Sequence, residues 1–297
     1  MDEHVEGCML CPRECGSDRE KKAGFCGVSG KADSVRAAKA MLHFGEEPPI
    51  SGTKGSGAIF FSGCNMRCVY CQNYMISSEA FGRDISLSRL SDIFLELQEQ
   101  GAHNINLVTG THYVPQIVRA LEAVRGRLYI PVVFNCGGYE KTETIRMLDG
   151  LADIYLPDVK YFDDSYAVRY SGAKNYFEMA LAAVREMVRQ TGKYRIHNGI
   201  MSKGVIVRHM ILPGCHKDSI RILEELEAFK DQVLISLMRQ YYPCGRAESF
   251  SEINRRLTTF EYRKVLDKCE ALGFNGFVQD KSAACGEMTP SFDLDGI

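Results

Sequence analysis

The chain has 297 residues, of which 45% are hydrophobic and 25% are charged, so it can bury one large core, as α/β barrels of this size do. Its formal net charge of -2 provides no excess of positive charge for phosphate backbones, which argues against nucleic acid as a partner. The opening segment MDEHVEGCML lacks a basic stretch followed by an apolar one, and no run is apolar for long enough to cross a bilayer. We therefore expect a cytoplasmic protein with no membrane partner.

Short apolar runs that are typical of strands alternate with longer helical patterns along the chain. In chain order the strand-like runs are AIFFSG, NINLVTG, IPVVFN, DIYLPDVK, VIVRHMI, VLISLMRQ and GFVQD. Three stretches between them place apolar residues on one helical face. These residues are Leu87, Leu90, Ile93, Phe94 and Leu97, then Ile117, Leu121 and Val124, then Ile222, Leu223, Leu226 and Phe229. About six alternations of strand and helix indicate parallel strands covered by helices.

Polar residues follow several of these strand-like runs at their carboxyl ends. They fall at 109–112, 135–138, 158–160, 208–209 and 239–240. In a barrel such ends converge on one mouth, whereas a doubly wound sheet concentrates them at a switch point, and no GxGxxG follows a strand here. The sequence thus predicts an α/β fold, a partial (β/α)6 barrel over residues 46–297, with a cysteine-rich metal-binding module over residues 1–45.

The chain contains twelve cysteines, and seven of them form two groups. We call Cys8, Cys11, Cys15 and Cys26 the four-cysteine group, and Cys64, Cys68 and Cys71 the three-cysteine loop. In a reducing compartment, grouped cysteines more often bind metal or perform redox chemistry than form disulfides. The remaining five are most simply buried thiols.

The three-cysteine loop has the spacing CxxxCxxC and directly follows an apolar strand-like run. Three thiolates on a cubane [4Fe–4S] cluster leave the fourth iron without a protein ligand, so that a small molecule can bind it. S-adenosylmethionine at that position can be cleaved reductively to a radical that abstracts hydrogen from a substrate. A half-formed zinc site is the alternative, but no partner pair lies at a usual zinc spacing downstream.

At these residues the chain resembles the radical SAM superfamily, whose motif places an aromatic residue before the last cysteine, here Tyr70 before Cys71. The continuation into QN is similar to the branch of pyruvate formate-lyase activating enzyme, and the resemblance extends from Glu46 to the end. It implies a [4Fe–4S] cluster on the three-cysteine loop, S-adenosylmethionine on the open iron, and an electron donor such as flavodoxin or ferredoxin. Activation of a glycyl radical enzyme is the activity that this branch suggests.

The resemblance also implies cofactor-binding positions beyond the loop. The family's GGE stretch falls on three residues: Thr109, Gly110 and Thr111. A D-x-K pattern of the activating enzymes is matched by Asp158 and Lys160, and their arginine in R-x-x-x-x-P-G by Arg208. Because a guanidinium can bind both oxygens of a carboxylate, Arg208 suits the carboxylate of the cofactor.

Several alternatives stay open on the sequence alone. Asp158 and Lys160 could instead form a structural ion pair at the barrel rim. The four-cysteine group could close either a second iron–sulfur cluster or a structural zinc site. The substrate could be a small molecule or a peptide, and a different class of function, electron transfer or scaffolding, would explain the clusters without the open iron. Glu46 and Glu47 lie in a glycine-rich segment that is typical of a linker.

Overall fold

The computed structural model describes residues 7–29, 31–284 and 289–297. Its strands are β1 (Ser34–His43), β2 (Ser56–Phe61), β3 (Arg83–Ser86), β4 (Ile105–Val108), β5 (Val132–Cys136), β6 (Ile154–Pro157), β7 (Arg195–His197), β8 (Ile200–Met210), β9 (Val233–Met238) and β10 (Gly276–Val278). Its α-helices are α1 (Pro48–Ser51), α2 (Tyr74–Ser77), α3 (Leu87–Glu99), α4 (Val114–Val124), α5 (Thr142–Arg146), α6 (Asp164–Ser171), α7 (Tyr176–Thr191), α8 (His216–Leu226) and α9 (Thr259–Leu272). Single 3₁₀ turns cover Thr111–Tyr113, Glu227–Phe229, Ala247–Ser249 and Lys281–Ala283. No helix in these described ranges is long and apolar enough to span a membrane.

The strands form one sheet in the order β10-β9-β8-β6-β5-β4-β2-β1-β3, and β7 pairs with β8 beside it. Every neighbouring pair from β2 through β10 along this order is parallel. β1 is antiparallel to both β2 and β3. Helices connect the successive parallel strands, and β3 and β10 remain the two ends of the sheet in the described part of the chain. This arrangement confirms the predicted α/β fold and its partial barrel.

Each of the seven predicted strand runs coincides with a strand, whereas β1, β3 and β7 were not predicted. The sequence of β1, SVRAAKAMLH, is rich in alanine and carries two cations, a composition with little strand propensity. Its pairing with β2 and β3 supplies the stability that its sequence lacks. β3 and β7 are short and mostly exposed, so neither has a strong pattern of hydrophobic residues.

The helices begin and end where local chemistry favours it. The hydroxyl of Ser86 accepts a hydrogen bond from the amide of Arg89 at the start of α3. Thr258 and Glu261 form a capping box at the start of α9, and Gly273 ends that helix in the left-handed conformation. The predicted apolar faces of α3, α4 and α8 are buried in the core between the helices and the sheet.

Strand alternation determines which side chains face the inside of the barrel. Val133 and Leu156 belong to an inner apolar cluster that α1 joins through Ile50. Because side chains repeat on the same face every second residue, Asn135 and Asp158 point inward one step closer to the carboxyl ends. Arg208 and Ser236 follow Ile206 and Leu234 in the same way. The interior therefore changes from an apolar layer to a polar one toward the mouth.

Residues 7–29 form a series of turns that pack against the barrel. The Cys26 carbonyl accepts a hydrogen bond of 3.1 Å from the Cys64 amide. Arg13 donates from Nε to the Asn65 carbonyl at 2.8 Å and from Nη2 to the Ser171 carbonyl at 2.6 Å. The amino-terminal turns are thus held directly against the three-cysteine loop.

Candidate functional site

A cavity of about 900 Å³ opens at the carboxyl ends of the parallel strands. The predicted site residues that line it are Cys64, Cys68, Tyr70, Cys71, Thr109, Asp158, Lys160 and Arg208. Thr111 is turned toward another neighbour, since its hydroxyl donates a hydrogen bond of 2.9 Å to Glu140 Oε1. The fold therefore gathers eight of the ten predicted residues of the barrel site around one space.

Two of the loop thiols receive hydrogen bonds, which favour the thiolate form that binds metal. The Met66 amide donates to Cys64 Sγ at 3.3 Å, and the Ser171 hydroxyl donates to Cys68 Sγ at 3.0 Å. Burial raises the pKa of the Cys64 thiol to about 12, and the neighbouring loop cysteines add to that rise. Binding of a metal to the Cys64 thiolate would therefore release a proton.

A layer of tyrosines packs behind the three-cysteine loop. The hydroxyls of Tyr70 and Tyr161 are 2.5 Å apart, and Tyr161 is 2.7 Å from the Ser171 hydroxyl that reaches Cys68. Burial raises the pKa of Tyr70 well above its ordinary value, so this phenol stays protonated. Tyr70 thus contributes an aromatic wall and a hydrogen-bond chain that ends at the Cys68 thiol.

The polar layer of the barrel is organised around Arg208. Its Nε donates to Asp158 Oδ1 at 2.9 Å, its Nη1 to Glu46 Oε2 at 3.1 Å and its Nη2 to Asn135 Oδ1 at 2.6 Å. Burial alone would lower the pKa of Arg208, but Asp158, Glu46 and Glu47 hold it above its usual value. The guanidinium is thus fixed in place by three side chains from three different segments.

The Asp158 carboxylate also binds Lys160, whose Nζ lies 2.5 Å from Oδ2. Burial would raise the pKa of Asp158, yet Arg208 and Lys160 together hold that pKa below its usual value. The ion pair that was one interpretation of these two residues is therefore present. It also lies in the wall of the cavity, as a cofactor-binding role requires.

Glu46 and Glu47 are functional candidates that the sequence interpretation missed. Glu46 Oε1 accepts hydrogen bonds from Asn106 at 2.9 Å and from Asn135 at 3.1 Å. Both glutamates line the cavity, and burial raises the pKa of Glu47. The sequence signal that could have identified them is a pair of adjacent carboxylates before β2, the strand that leads to the three-cysteine loop.

Two non-glycine residues at the site have left-handed backbone conformations. Thr109 has φ 62° and lines the cavity, and Arg67, inside the three-cysteine loop, has φ 49°. A β-branched residue in this region is strained, and such strain persists where the surrounding structure imposes it. The Thr109 amide is held by the Asn135 carbonyl at 2.8 Å.

Other residues noted in the sequence have structural roles. His112 and His209 are buried; His112 Nε2 donates to the Ser62 carbonyl at 2.8 Å, and His209 Nδ1 donates to the Val159 carbonyl at 2.6 Å. Burial lowers the pKa of His112 to about 3 and that of His209 to about 4, so both rings are neutral. Among the scattered thiols, Cys136, Cys215 and Cys269 are buried and Cys244 is half-buried, while Cys285 lies outside the described residues.

Comparison with known proteins identifies the family. The Radical SAM superfamily model matches residues 58–226, which is more than half of the chain. The chain belongs to the radical SAM superfamily. An uncharacterized protein of Methanocaldococcus jannaschii is 31% identical over 276 residues, which cover 89% of this chain and 75% of that protein.

Solved radical SAM structures are similar at lower identity. Methylornithine synthase is 13% identical, with a TM-score of 0.49 over 72% of this chain and 68% of its own. SuiB of Streptococcus suis bound to S-adenosylmethionine is 9% identical, with a TM-score of 0.49, and the match covers 73% of this chain but 48% of SuiB. A spore photoproduct lyase with bound S-adenosylmethionine and dinucleoside spore photoproduct is 13% identical, with a TM-score of 0.49 over 74% of both chains.

Radical SAM proteins use a [4Fe–4S] cluster and S-adenosylmethionine, and they need a reductant. The residues at the mouth fit this requirement because three thiols, two of them hydrogen-bonded, adjoin a cavity with both acidic and basic walls. No three His, Cys, Asp or Glu side chains within 7–29, 31–284 and 289–297 form a ligand group for a single metal ion. A cubane has a different requirement, since each thiolate binds its own iron.

Gly138 provides a test of how tightly the mouth is packed. It has φ +82°, and an added Cβ would overlap the Asp158 carbonyl oxygen and lie 2.8 Å from the Tyr176 hydroxyl. Gly150 has φ +75°, and nothing lies within 4 Å of an added Cβ there. Gly150→Ala therefore introduces backbone strain without a steric overlap, which makes it the matched control. We expect Gly150→Ala to lower the free energy of unfolding by about 1 kcal/mol and Gly138→Ala to lower it by roughly a further 1–3 kcal/mol. Equal losses in urea unfolding would contradict the tight contact at Asp158.

Proposed function

We propose that this chain cleaves S-adenosylmethionine reductively at a [4Fe–4S] cluster held by the three-cysteine loop and abstracts hydrogen from a bound substrate. The observation that carries the proposal is the position of the three thiols in the wall of the same cavity as Asp158, Lys160 and Arg208. The bound cluster and cofactor together supply methionine and a 5′-deoxyadenosyl radical after one-electron reduction. The protein's own residues supply the binding and the exclusion of water.

We assign the roles of the cavity residues as part of this proposal. Cys64, Cys68 and Cys71 ligate three irons, and the open side of the cavity receives the cofactor. Lys160 and Arg208 provide positive charge for its carboxylate, and Asp158 holds both cations in place. Thr109 forms part of the cavity wall beside the cofactor, and Gly110 and Thr111 follow it in the same cofactor-binding segment. Tyr70 closes the cavity on the side behind the cysteines.

For the substrate, we propose activation of a glycyl radical enzyme, following the resemblance to the activating-enzyme branch. Modification of a small molecule or peptide is the second candidate. A cavity of about 900 Å³ is large enough for a cofactor and a small group beside it, which both candidates need. We further propose that the domain organisation is a cysteine-rich module within residues 1–45 and a barrel over 46–297, with β1 completing the sheet from the module side.

The proposed chemistry is tested by anaerobic reconstitution of the whole chain with iron and sulfide, followed by S-adenosylmethionine and dithionite. We expect methionine and 5′-deoxyadenosine in equal amounts, measured by chromatography. A chain that carries the cluster but forms neither product would contradict the radical function and favour an electron-transfer or scaffold protein. Hydrogen abstraction is then assigned by following deuterium from labelled candidate substrates into 5′-deoxyadenosine.

A further inference from the structure

The four cysteines at the amino terminus come together in the folded chain. Cys15 Sγ and Cys26 Sγ lie 3.4 Å and 3.6 Å from the position of a Cβ on Gly24, so they flank the same glycine. The Cys8 amide donates to the Ser17 carbonyl at 3.0 Å and the Gly16 amide donates to the Cys8 carbonyl at 3.2 Å, so Cys8 lies beside the Cys15 turn. The Glu14 amide donates to the Cys11 carbonyl at 3.0 Å, and this turn leads directly into Cys15. The turns of residues 8–26 therefore hold the four-cysteine group in one region of the fold.

A buried cation lies in the segment between Cys15 and Cys26, without a carboxylate partner among the described residues. Arg19 is 8% exposed, and its Nη1 donates to the His112 carbonyl. Its Nε and Nη2 have no hydrogen-bond partner, and Arg19 forms no ion pair with any residue that the structure describes.

The Arg19 guanidinium contacts the His112 carbonyl and lies 5.3 Å from the Tyr113 ring centroid, but neither partner carries a negative charge, and burying a cation without an anion is costly. Four neutral thiols would leave Arg19 in that condition, whereas metal-bound thiolates would provide the missing negative charge. The environment is thus suited to an anionic metal–thiolate centre. Arg19 would act as its counter-charge, a positioning role rather than a catalytic one.

The four-cysteine group is joined to the three-cysteine loop at very short range. The hydrogen bond from the Cys64 amide to the Cys26 carbonyl connects a member of one group to a member of the other. Gly63 makes this approach possible: its φ is +86°, and an added Cβ would lie 2.8 Å from the Cys26 carbonyl oxygen. A direct hydrogen bond between main-chain groups therefore connects the two cysteine groups.

The four-cysteine group also reaches the molecular surface. Cys15 is exposed, and Cys8 lines an open groove of about 910 Å³ whose wall includes Lys21, Lys22 and Lys141. Cys68 in the three-cysteine loop is buried. The four-cysteine group thus lies between the solvent, where a donor protein would dock, and the buried site of S-adenosylmethionine cleavage.

We propose that the four-cysteine group holds a redox-active iron–sulfur cluster that relays single electrons from an external donor to the cluster of the three-cysteine loop. The inference rests on the proposed function, since it names the route by which that chemistry is reduced. A low-potential donor of the flavodoxin or ferredoxin class loses one electron, the relay cluster gains it and loses it again, and the second cluster gains it. No bond forms or breaks in the relay, and no proton is required.

Two reductants separate the relay from the chemistry that it serves. Dithionite is small enough to reduce the second cluster directly, whereas reduced flavodoxin must dock at the surface. For Cys15→Ala we expect 5′-deoxyadenosine formation with dithionite to remain within twofold of wild type and formation with flavodoxin to fall at least tenfold. Cys269→Ala, a buried thiol outside both groups, is the matched control and should change neither rate. Equal rates with both donors in Cys15→Ala would overturn the relay.

Metal content and potential test the cluster independently of activity. We expect about eight irons per wild-type chain after anaerobic expression, as two [4Fe–4S] clusters require; about four irons with one zinc would overturn the inference. Arg19→Gln should lower the reduction potential of the relay cluster, which is the cluster whose signal does not respond to S-adenosylmethionine. The expected shift is about a tenfold change in the reduction equilibrium, or about 59 mV for one electron. Arg19→Lys should restore most of the shift, and Arg263→Gln, at an exposed ion pair, should cause none.

The outcomes of the inference and of the proposed function are distinct. The wild-type protein could contain two clusters and show an Arg19-dependent potential, but form no 5′-deoxyadenosine with either reductant. This result would refute the proposed function and would not contradict a second cluster in the four-cysteine group. Dithionite-driven cleavage by a chain with a single cluster would refute the inference alone. An unchanged potential in Arg19→Gln would also refute it, because the buried cation would then have a different partner.

Discussion

Cys68→Ala is expected to abolish formation of 5′-deoxyadenosine with dithionite as the reductant. Cys68 is buried and accepts a hydrogen bond of 3.0 Å from the Ser171 hydroxyl, and in the proposed function it ligates one iron of the cluster. Loss of the partners that merely orient metal ligands commonly costs 10–100-fold, so loss of a ligand should cost at least about a hundredfold. The measurement is product formation per reconstituted chain, together with the electron paramagnetic resonance signal that changes when S-adenosylmethionine is added.

Cys136→Ala is the matched control for this prediction. Cys136 is also a buried cysteine in the wall of the same cavity, but it lies at the end of β5, outside the three-cysteine loop. We expect it to retain the cluster signal and most of the product. Comparable losses in both variants would mean that any change at the cavity wall prevents loading, and the assignment of Cys68 as a ligand would have to be withdrawn.

Arg208→Leu should be the most destabilising substitution in the barrel interior. The guanidinium binds Asp158, Glu46 and Asn135, and the side chains of its two carboxylate partners are at most 15% exposed. Its removal leaves two buried carboxylates without this cation, a change that typically costs about 3–5 kcal/mol. Arg208→Lys keeps the charge but cannot donate to three partners at once, so its loss should be smaller. Urea unfolding of the cluster-free protein measures both.

Arg263→Leu serves as the control for the arginine series. Arg263 forms an ion pair of 2.7 Å with Asp267 one turn later on α9, and both side chains are more than half exposed. We expect its free energy of unfolding to stay within about 0.5 kcal/mol of wild type, as is usual for surface substitutions. If Arg208→Leu changed the free energy of unfolding as little as Arg263→Leu does, the buried ion network would contribute nothing to folding. Arg208 would then serve only to bind a ligand.

The local patterns in the sequence were sufficient for the chemistry and for the class of fold. The three-cysteine loop spans eight residues, so its spacing alone brings three thiols together at the end of a strand. The alternation of buried strands and amphipathic helices could likewise be predicted from the sequence, because each element buries its own apolar face. The grouping of three thiols at a strand end and the partial barrel could therefore be predicted without knowledge of any long-range contact.

Only the tertiary structure decided which distant residues complete the site. Glu46 and Arg208 are 162 residues apart, and no sequence period relates them. They meet because strand alternation turns Arg208 inward while the segment before α1 enters the barrel beneath the mouth. The pairing of β1 with β2 and the burial of Arg19 against the His112 carbonyl depend in the same way on contacts between separate segments. Local sequence determined the three-cysteine loop and the helices and strands, whereas packing determined the charges that surround the loop.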